Sequence, residues 1–315
     1  MFRAALIGAL VLLTACSGPP APSPRTTQST TPPAPPPDPV IAAAGDIACD
    51  PDIPAFNRGE GTRGACRQNH TADLIAEEDV SAVLPLGDNQ YDFGTLADYR
   101  RSYGPSWGRF LAKTYPVPGN HEYSTPQASG YFKFFGARAG NRARGYYSYD
   151  IGTWHLIALN SNCGAVGGCG RGSPQERWLR TDLAAHATLC TLAYWHHPRF
   201  SSGLHGDDTS YTAFWQALYA AGADVVLVGH DHDYERFAPQ DPLGRSDAPR
   251  GIREFVVGTG GRSRYPFREP RPNSEVRNFG TYGVLMLTLH EDSYDWRFVP
   301  EAEKSFTDSG STACH

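Results

Sequence analysis

From residue 40 onward, short apolar runs and amphipathic stretches alternate along this chain, and the alternation predicts its elements. VIAAAG at 40–45 and SAVLPLG at 81–87 read as strands, and HTADLIAEED at 70–79 has the spacing of an amphipathic helix between them. WHLIALN (154–160), TLAYWH (191–196) and ADVVLVG (223–229) read as further strands. SPQERWLRTDLAAHA (173–187) and TSYTAFWQALYAAG (209–222) read as the helices that separate them, and the Ser-Pro start of the first suits a cap followed by a first turn. EFVVGTGG (254–261), TYGVLMLTLH (281–290) and YDWRFV (294–299) close the chain as strands with no clear helix between them. The pattern predicts an α/β (α+β) sandwich whose sheets are covered by helices. It shows no internal repeat.

Before residue 40 the pattern changes. LIGALVLL at 6–13, behind Arg3, is an apolar core too short to span a bilayer and reads as part of a signal peptide. LTAC at 13–16 resembles the lipobox of bacterial lipoproteins, which implies a leader over 1–15 and a lipidated Cys16; the alternative is a plain cleaved signal with a free cysteine. Residues 16–39, almost purely Pro, Ser, Thr and Ala after Cys16, cannot offset the entropy of ordering and read as a disordered, semi-rigid tether. Residues 40–315 then read as one domain.

Six cysteines follow Cys16: Cys49, Cys66, Cys163, Cys169, Cys190 and Cys314. An even count behind an export signal predicts three disulfides formed in an oxidising compartment. Fifteen pairings are open to six cysteines, and proximity favours Cys49–Cys66, Cys163–Cys169 and Cys190–Cys314. A zinc cluster ranks far behind, because no CxxC pair occurs. The formal net charge is −5, without a basic block interleaved with aromatics, so binding to long nucleic acid is not expected. No protein partner is predicted.

The candidate chemistry lies where strands end. VIAAAG runs into Asp46, LPLG into Asp88, YPVPG into Asn120 and His121, TLAYW into His196, and VVLVG into His230 and His232. Residues 230 and 232, two apart just past a strand, emerge on one side of the chain. One Gly-Asp or Gly-His pair is an ordinary turn, but five such ends put polar groups along one sheet edge, where open α/β folds place their sites.

In chain order the series Asp46, GDNQY (87–91), GNHE (119–122), His196 and GHDH (229–232) resembles the calcineurin-like metallophosphoesterase superfamily over residues 41–236. Many of its members carry a histidine two residues after the first aspartate, where this chain has Ala48. Tyr91, three residues after Asp88, matches the tyrosine that purple acid phosphatases use instead, so the chain resembles that branch. The resemblance implies a four-layer sandwich of two mixed β-sheets flanked by helices. It implies Fe(III) held by Asp46, Asp88, Tyr91 and His232, and zinc, manganese or Fe(II) held by Asp88, Asn120, His196 and His230. Hard carboxylate and phenolate oxygens suit the first ion, and imidazoles with an amide suit the second.

Such a pair of ions polarises a phosphoryl oxygen and supplies hydroxide as nucleophile without a phospho-enzyme. His121 and His205 match non-ligand histidines of that branch, as general acids or phosphate contacts. His197 is expected to be structural, although a register shift of one would make it the ligand instead of His196. Glu122 is expected to orient His121, YERF (234–237) to pack around the site, and GTGGRSR (258–264) to bring amides or Arg262 near a phosphate. The stretches 50–69 and 122–145 read as long rim loops, whose Arg138, Arg142 and Arg144 either attract anions or are solvated.

The expected function is hydrolysis of small phosphate monoesters by an exported protein, secreted or anchored through Cys16 at the outer face of the cytoplasmic membrane. The alternatives are a phosphodiesterase or nucleotide hydrolase on the same metals, and a surface binding module without turnover.

Overall fold

Strands buried on both faces need apolar side chains in both directions, and the centre of this fold is built that way. The computed structural model describes residues 1, 2, 4, 5, 8–18 and 37–315. It divides into a unit over Met1–Pro37 and a unit over Asp38–His315. In the first, the described residues are exposed and have no regular secondary structure. Arg3, Leu6 and Ile7 of the expected leader, and the expected tether at 19–36, lie outside the described residues. No described helix is long and apolar enough to cross a membrane.

The second unit holds two mixed sheets flanked by helices, which in chain order are α1 (Gln68–Ala76), α2 (Leu96–Asp98), α3 (Ser129–Phe135), α4 (Pro174–Ala185) and α5 (Thr212–Ala220). Its strands are β1 (Val40–Ala44), β2 (Ala82–Pro85), β3 (Tyr147–Ile151), β4 (Trp154–Ala158), β5 (Cys190–Tyr194), β6 (Val225–Val228), β7 (Tyr234–Phe237), β8 (Arg253–Val257), β9 (Ser274–Asn278), β10 (Gly283–Leu289), β11 (Ser293–Pro300) and β12 (Ser309–Ala313). One sheet runs β12-β11-β10-β1-β2, with β1 and β2 parallel. The other runs β3-β4-β5-β6-β8-β7-β9, and its β4, β5, β6 and β8 are parallel.

Period-two alternation divides each central strand between two cores. Trp154, Leu156 and Ala158, with Leu192, Tyr194, Val225 and Leu227, face the core between the sheets, together with Ile41, Leu84 and Leu285. Ile157, Ala193, Trp195, Val226 and Val228 face the other way. There they meet Leu179 and Leu183 of α4 (Pro174–Ala185) and Phe214, Trp215 and Leu218 of α5 (Thr212–Ala220). The helix α4 starts as its sequence predicts: the Ser173 side chain accepts a hydrogen bond from Glu176 N–H, and Pro174 fills the first turn.

The structure changes two expectations and adds detail to a third. YPVPG is not a regular strand; Tyr115 and Val117 donate to the carbonyls of Val83 and Pro85 beside β2, and Pro116 and Pro118 have no N–H to extend a ladder outward. The 122–145 stretch is not a bare loop, because it contains the helix α3 (Ser129–Phe135), which buries Tyr131, Phe132 and Phe135 in the inter-sheet core. YERF forms β7. The three disulfides are Cys49–Cys66, Cys163–Cys169 and Cys190–Cys314, the pairing that proximity favours.

Away from the strand ends, buried His155 lies between two carboxylates, Nδ1 at 2.7 Å from Asp150 and Nε2 at 2.9 Å from Asp182. Donation from both nitrogens requires the imidazolium. Burial alone lowers its pKa, but the bonds to Asp182 and Asp150 outweigh that and raise it. A raised histidine pKa contributes stability that is complete below the unfolded value of about 6.5 and is lost as pH rises through the folded value. Urea unfolding midpoints should therefore fall as pH rises above about 6.5 and through the raised folded value, and His155→Gln should flatten that slope. An equal slope in the variant would refute this account.

Candidate metal centre

At the carboxyl ends of β1, β2, β5 and β6, buried polar side chains meet at distances that hydrogen bonding alone does not explain. The Tyr91 hydroxyl lies 2.8 Å from Asp46 Oδ1, 2.9 Å from Asp88 Oδ2 and 3.0 Å from His232 Nε2. One phenol proton cannot satisfy two carboxylates. His196 Nε2 approaches the same Asp88 oxygen at 3.3 Å, and His230 Nδ1 lies 3.2 Å from His196 Nε2. Asp88 thus joins a cluster of Asp46, Tyr91 and His232 to a cluster of His196 and His230. Bonds of about 2.0–2.2 Å to a metal place neighbouring donor atoms roughly 3 Å apart, so this donor set fits cations on both sides of Asp88.

The backbone is shaped for this convergence. Asp46, Asp88 and His230 have φ of 60°, 46° and 70°, a left-handed conformation that non-glycine residues seldom hold outside functional sites. Two glycines allow the close approach: a Cβ on Gly119 would lie 2.2 Å from Asp88 Oδ1, and one on Gly87 would lie 2.6 Å from His196 Nδ1. This accounts physically for the glycines that precede the candidate ligands.

Partners behind the donors orient them, as metal ligands require. His196 Nδ1 is 2.8 Å from the Leu86 carbonyl, and His232 Nδ1 is 2.7 Å from Ser263 Oγ. Tyr265 stacks on His232 with ring centroids 4.1 Å apart. Burial resists ionisation of Asp88, but the neighbouring histidines, His196 foremost, outweigh it and hold the carboxyl well below the usual range. Burial lowers His196, and Asp88 more than reverses this, raising its pKa to about 9. Burial, then Asp46 and Asp88, pushes the Tyr91 phenol well above its ordinary value, so only a cation nearby would favour tyrosinate.

Asn120, also an expected ligand, is exposed at the rim; the next residue, His121, donates its backbone N–H to Asp88 Oδ1 at 2.9 Å. The His121 ring sits 4.2 Å from that of Tyr91, and its Nδ1 lies 2.6 Å from the Asp92 carbonyl. His205 packs 4.1 Å from the His230 ring, with its Nδ1 2.8 Å from Asp231 Oδ1. His197 Nδ1 lies 2.7 Å from Ser161 Oγ while its ring stays 4.4 Å from that of His230, and His196, His197 and His230 each offer a nitrogen within 4.8 Å of the others; burial, followed by the charge of His196, lowers the His197 pKa to about 3. It is His196 that faces Asp88.

The expected role of Glu122 is corrected. Its buried carboxylate does not hold the His121 ring; it accepts from the N–H groups of Asn89, Gln90 and Gly119 and from the Tyr99 hydroxyl, at 3.0, 3.2, 2.7 and 2.9 Å. It therefore joins the turn after Asp88 to the turn before Asn120. Burial, with the Asp88 charge adding to it, pushes its pKa up to about 7. Arg262 lies over the Tyr91 ring, 5.1 Å from the centroid, and pairs with Asp92 at 3.1 Å. The sequence reading passed over Asp231, which also accepts from Ser201 Oγ at 2.6 Å. Its one signal was an acid between two candidate ligands.

A family model described as calcineurin-like phosphoesterase matches residues 39–234. The chain belongs to the calcineurin-like phosphoesterase family. Within it, the chain falls in the purple acid phosphatase-like branch. It is 29% identical over 269 residues to purple acid phosphatase 21 of Arabidopsis thaliana, covering 76% of this chain and 59% of that protein. It is 24% identical over 318 residues to probable inactive purple acid phosphatase 9 of the same plant, covering 81% of this chain and 47% of that protein. The solved purple acid phosphatase PPD1 of yellow lupin superposes with a TM-score of 0.69 at 16% identity, covering 87% of this chain and 53% of the other, a likeness of fold. The chain spans about three fifths of the length of the first curated relatives it matches.

Glu122→Gln would set an amide NH₂ against a backbone N–H. It should cost about 1–3 kcal/mol of stability and weaken metal binding by about 10- to 100-fold, read by thermal unfolding and by metal titration. Wild-type values in both would contradict the bracing role of Glu122.

Proposed function

We propose that this protein is a two-metal phosphoester hydrolase acting on small phosphate monoesters outside the cytoplasm. Asp46, Asp88, Tyr91 and His232 would hold Fe(III), and Asp88, Asn120, His196 and His230 would hold zinc, manganese or Fe(II). The observation that carries this reading is the Tyr91 hydroxyl within 3.0 Å of Asp46, Asp88 and His232, a crowding of donor atoms that a cation would stabilise. When bound, the two ions supply charge neutralisation for the phosphoryl oxygens and activate water.

The protein groups do the rest. Tyr91 and the carboxylates fix the charge of the site, and Glu122 fixes the turn that carries Asn120 and His121. His121, braced against Tyr91 and the Asp92 carbonyl, is positioned to contact the phosphate. His205, whose Nδ1 donates to Asp231, keeps Nε2 for proton transfer to the leaving oxygen; that hydrogen bond comes first among the influences that raise its pKa, against burial. Residues 1–15 would be a removed leader, Cys16 a lipidated anchor, 16–39 a tether and 40–315 the catalytic domain. Three disulfides support an oxidising compartment.

Asp88→Asn and His230→Ala should each reduce two bound metals per chain, by elemental analysis, and lower kcat/KM on an aryl phosphate by at least about a hundredfold. An aryl phosphodiester turned over faster than the monoester would replace the monoesterase reading with the diesterase one. Tyr91→Phe should abolish the visible tyrosinate-to-Fe(III) band of the loaded protein. A colourless, iron-free wild type would overturn the Fe(III) assignment.

A further inference from the structure

The chain as a whole carries a formal net charge of −5, yet one cavity is lined chiefly by cations. Its volume is about 440 Å³, and its charged lining is Arg63, Arg67, Arg264 and Lys304 with Glu301 and Glu303. Four cations against two carboxylates leave it positive on a chain whose overall charge is negative. None of its lining residues belongs to the donor set around Asp88, so it is a separate feature of the surface.

Two of the guanidinium groups are fixed by the fold. Arg67 donates to the buried Glu301 carboxylate at 2.8 Å through Nε, so its paired terminal N–H groups are not spent on that bond. Arg264 lies over the ring of Tyr282, 4.7 Å from the centroid, and donates to the carbonyls of Gly280 and Arg63, the latter at 3.0 Å. Neither carbonyl carries a charge, so these bonds hold the Arg264 cation without neutralising it. The ring beneath it is itself anchored, because buried Tyr282 donates its hydroxyl to the Gly64 carbonyl at 2.7 Å. The two wall segments are joined through their backbones: Arg67 N–H donates to the Gly261 carbonyl at 2.8 Å and Cys66 N–H to the Arg262 carbonyl at 3.2 Å. The Cys49–Cys66 disulfide ties down the first of these segments.

We propose that this cavity binds a phosphate group, with Arg67 and Arg264 as its fixed donors and the exposed Arg63 and Lys304 closing on it from the solvent side. A guanidinium binds phosphate oxygens through paired N–H donors, and one already held in place loses little freedom in doing so. The cavity and the candidate centre share one loop. Arg262 lies over the Tyr91 ring, Ser263 meets His232 Nδ1 and Tyr265 stacks on His232, while Arg264, between the last two, lines the cavity. Inorganic phosphate and the headgroup of an anionic phospholipid both present the chemistry that these four cations recognise.

Calorimetry with inorganic phosphate on the metal-loaded full chain should count one more bound phosphate in the wild type than in Arg264→Gln. Phosphate held at the metals is common to both proteins, so the difference does not depend on what the centre binds, and the hydrolase reading can fail without it. The double variant Arg63→Gln/Lys304→Gln, which alters two exposed side chains and leaves the loop at 261–265 intact, should weaken the same binding event by at least about tenfold. Cosedimentation with vesicles of phosphatidylglycerol and of phosphatidylcholine separates the two sources of phosphate. Retention on the first alone, lost in Arg264→Gln, marks a lipid headgroup as the ligand; the extra bound phosphate without such retention marks the free ion. Equal phosphate counts and affinities in the wild type and both variants, with equal vesicle retention, would overturn the site.

Discussion

Two carboxylates, a phenol and an imidazole held about 3 Å apart in a nearly dry interior form the constraint on which this structure depends. Without a cation the arrangement is costly, because like charges repel strongly where water is excluded and a single phenol proton serves two acceptors. With a cation, the same crowding becomes a coordination sphere. The surrounding fold is organised to hold it. Parallel strands bring Asp46, Asp88, His196 and His230 to one edge, left-handed backbone turns three of these residues inward, and glycines let the next turn press against them. Glu122 then joins two of the turns through four hydrogen bonds.

The sequence revealed those parts of the fold where burial imposes a simple pattern. Strands β1, β2, β4, β5, β6, β8 and β10 are mostly buried and carry apolar runs long enough to read, and β11 shows itself by alternation of buried and more exposed positions. Strands β3, β9 and β12 lie at sheet edges, where SEVRN and SGSTA meet water and carry no such run. The helix α3 was hidden because SGYFKFF is too short and too evenly aromatic to show a helical period. Of the candidate site, the donor residues were legible because their types recur after successive strands. The support of those residues was not. The Leu86 carbonyl, Ser263, Asp231 and the backbone donors to Glu122 act through contacts between distant segments, and no local motif encodes them.

The site and the loops outside the sheets place different demands on the chain. Donor positions are tied to strand ends packed in two cores, so a change there disturbs the fold as well as the chemistry. The segment from Tyr123 to Arg142 and the loop closed by the Cys163–Cys169 disulfide contribute no strand to either sheet. Such loops can vary in sequence while the donor set stays fixed, as loops carried by rigid frameworks allow.

Anomalous X-ray scattering from crystals of the metal-loaded protein, recorded at the iron and zinc absorption edges, tests the central claim most directly. The account predicts two ions roughly 3.5–4 Å apart on either side of Asp88, with iron on the side of Tyr91 and His232. A single ion, or ions bound away from Asp88 with the Tyr91 hydroxyl left outside the coordination sphere, would contradict it.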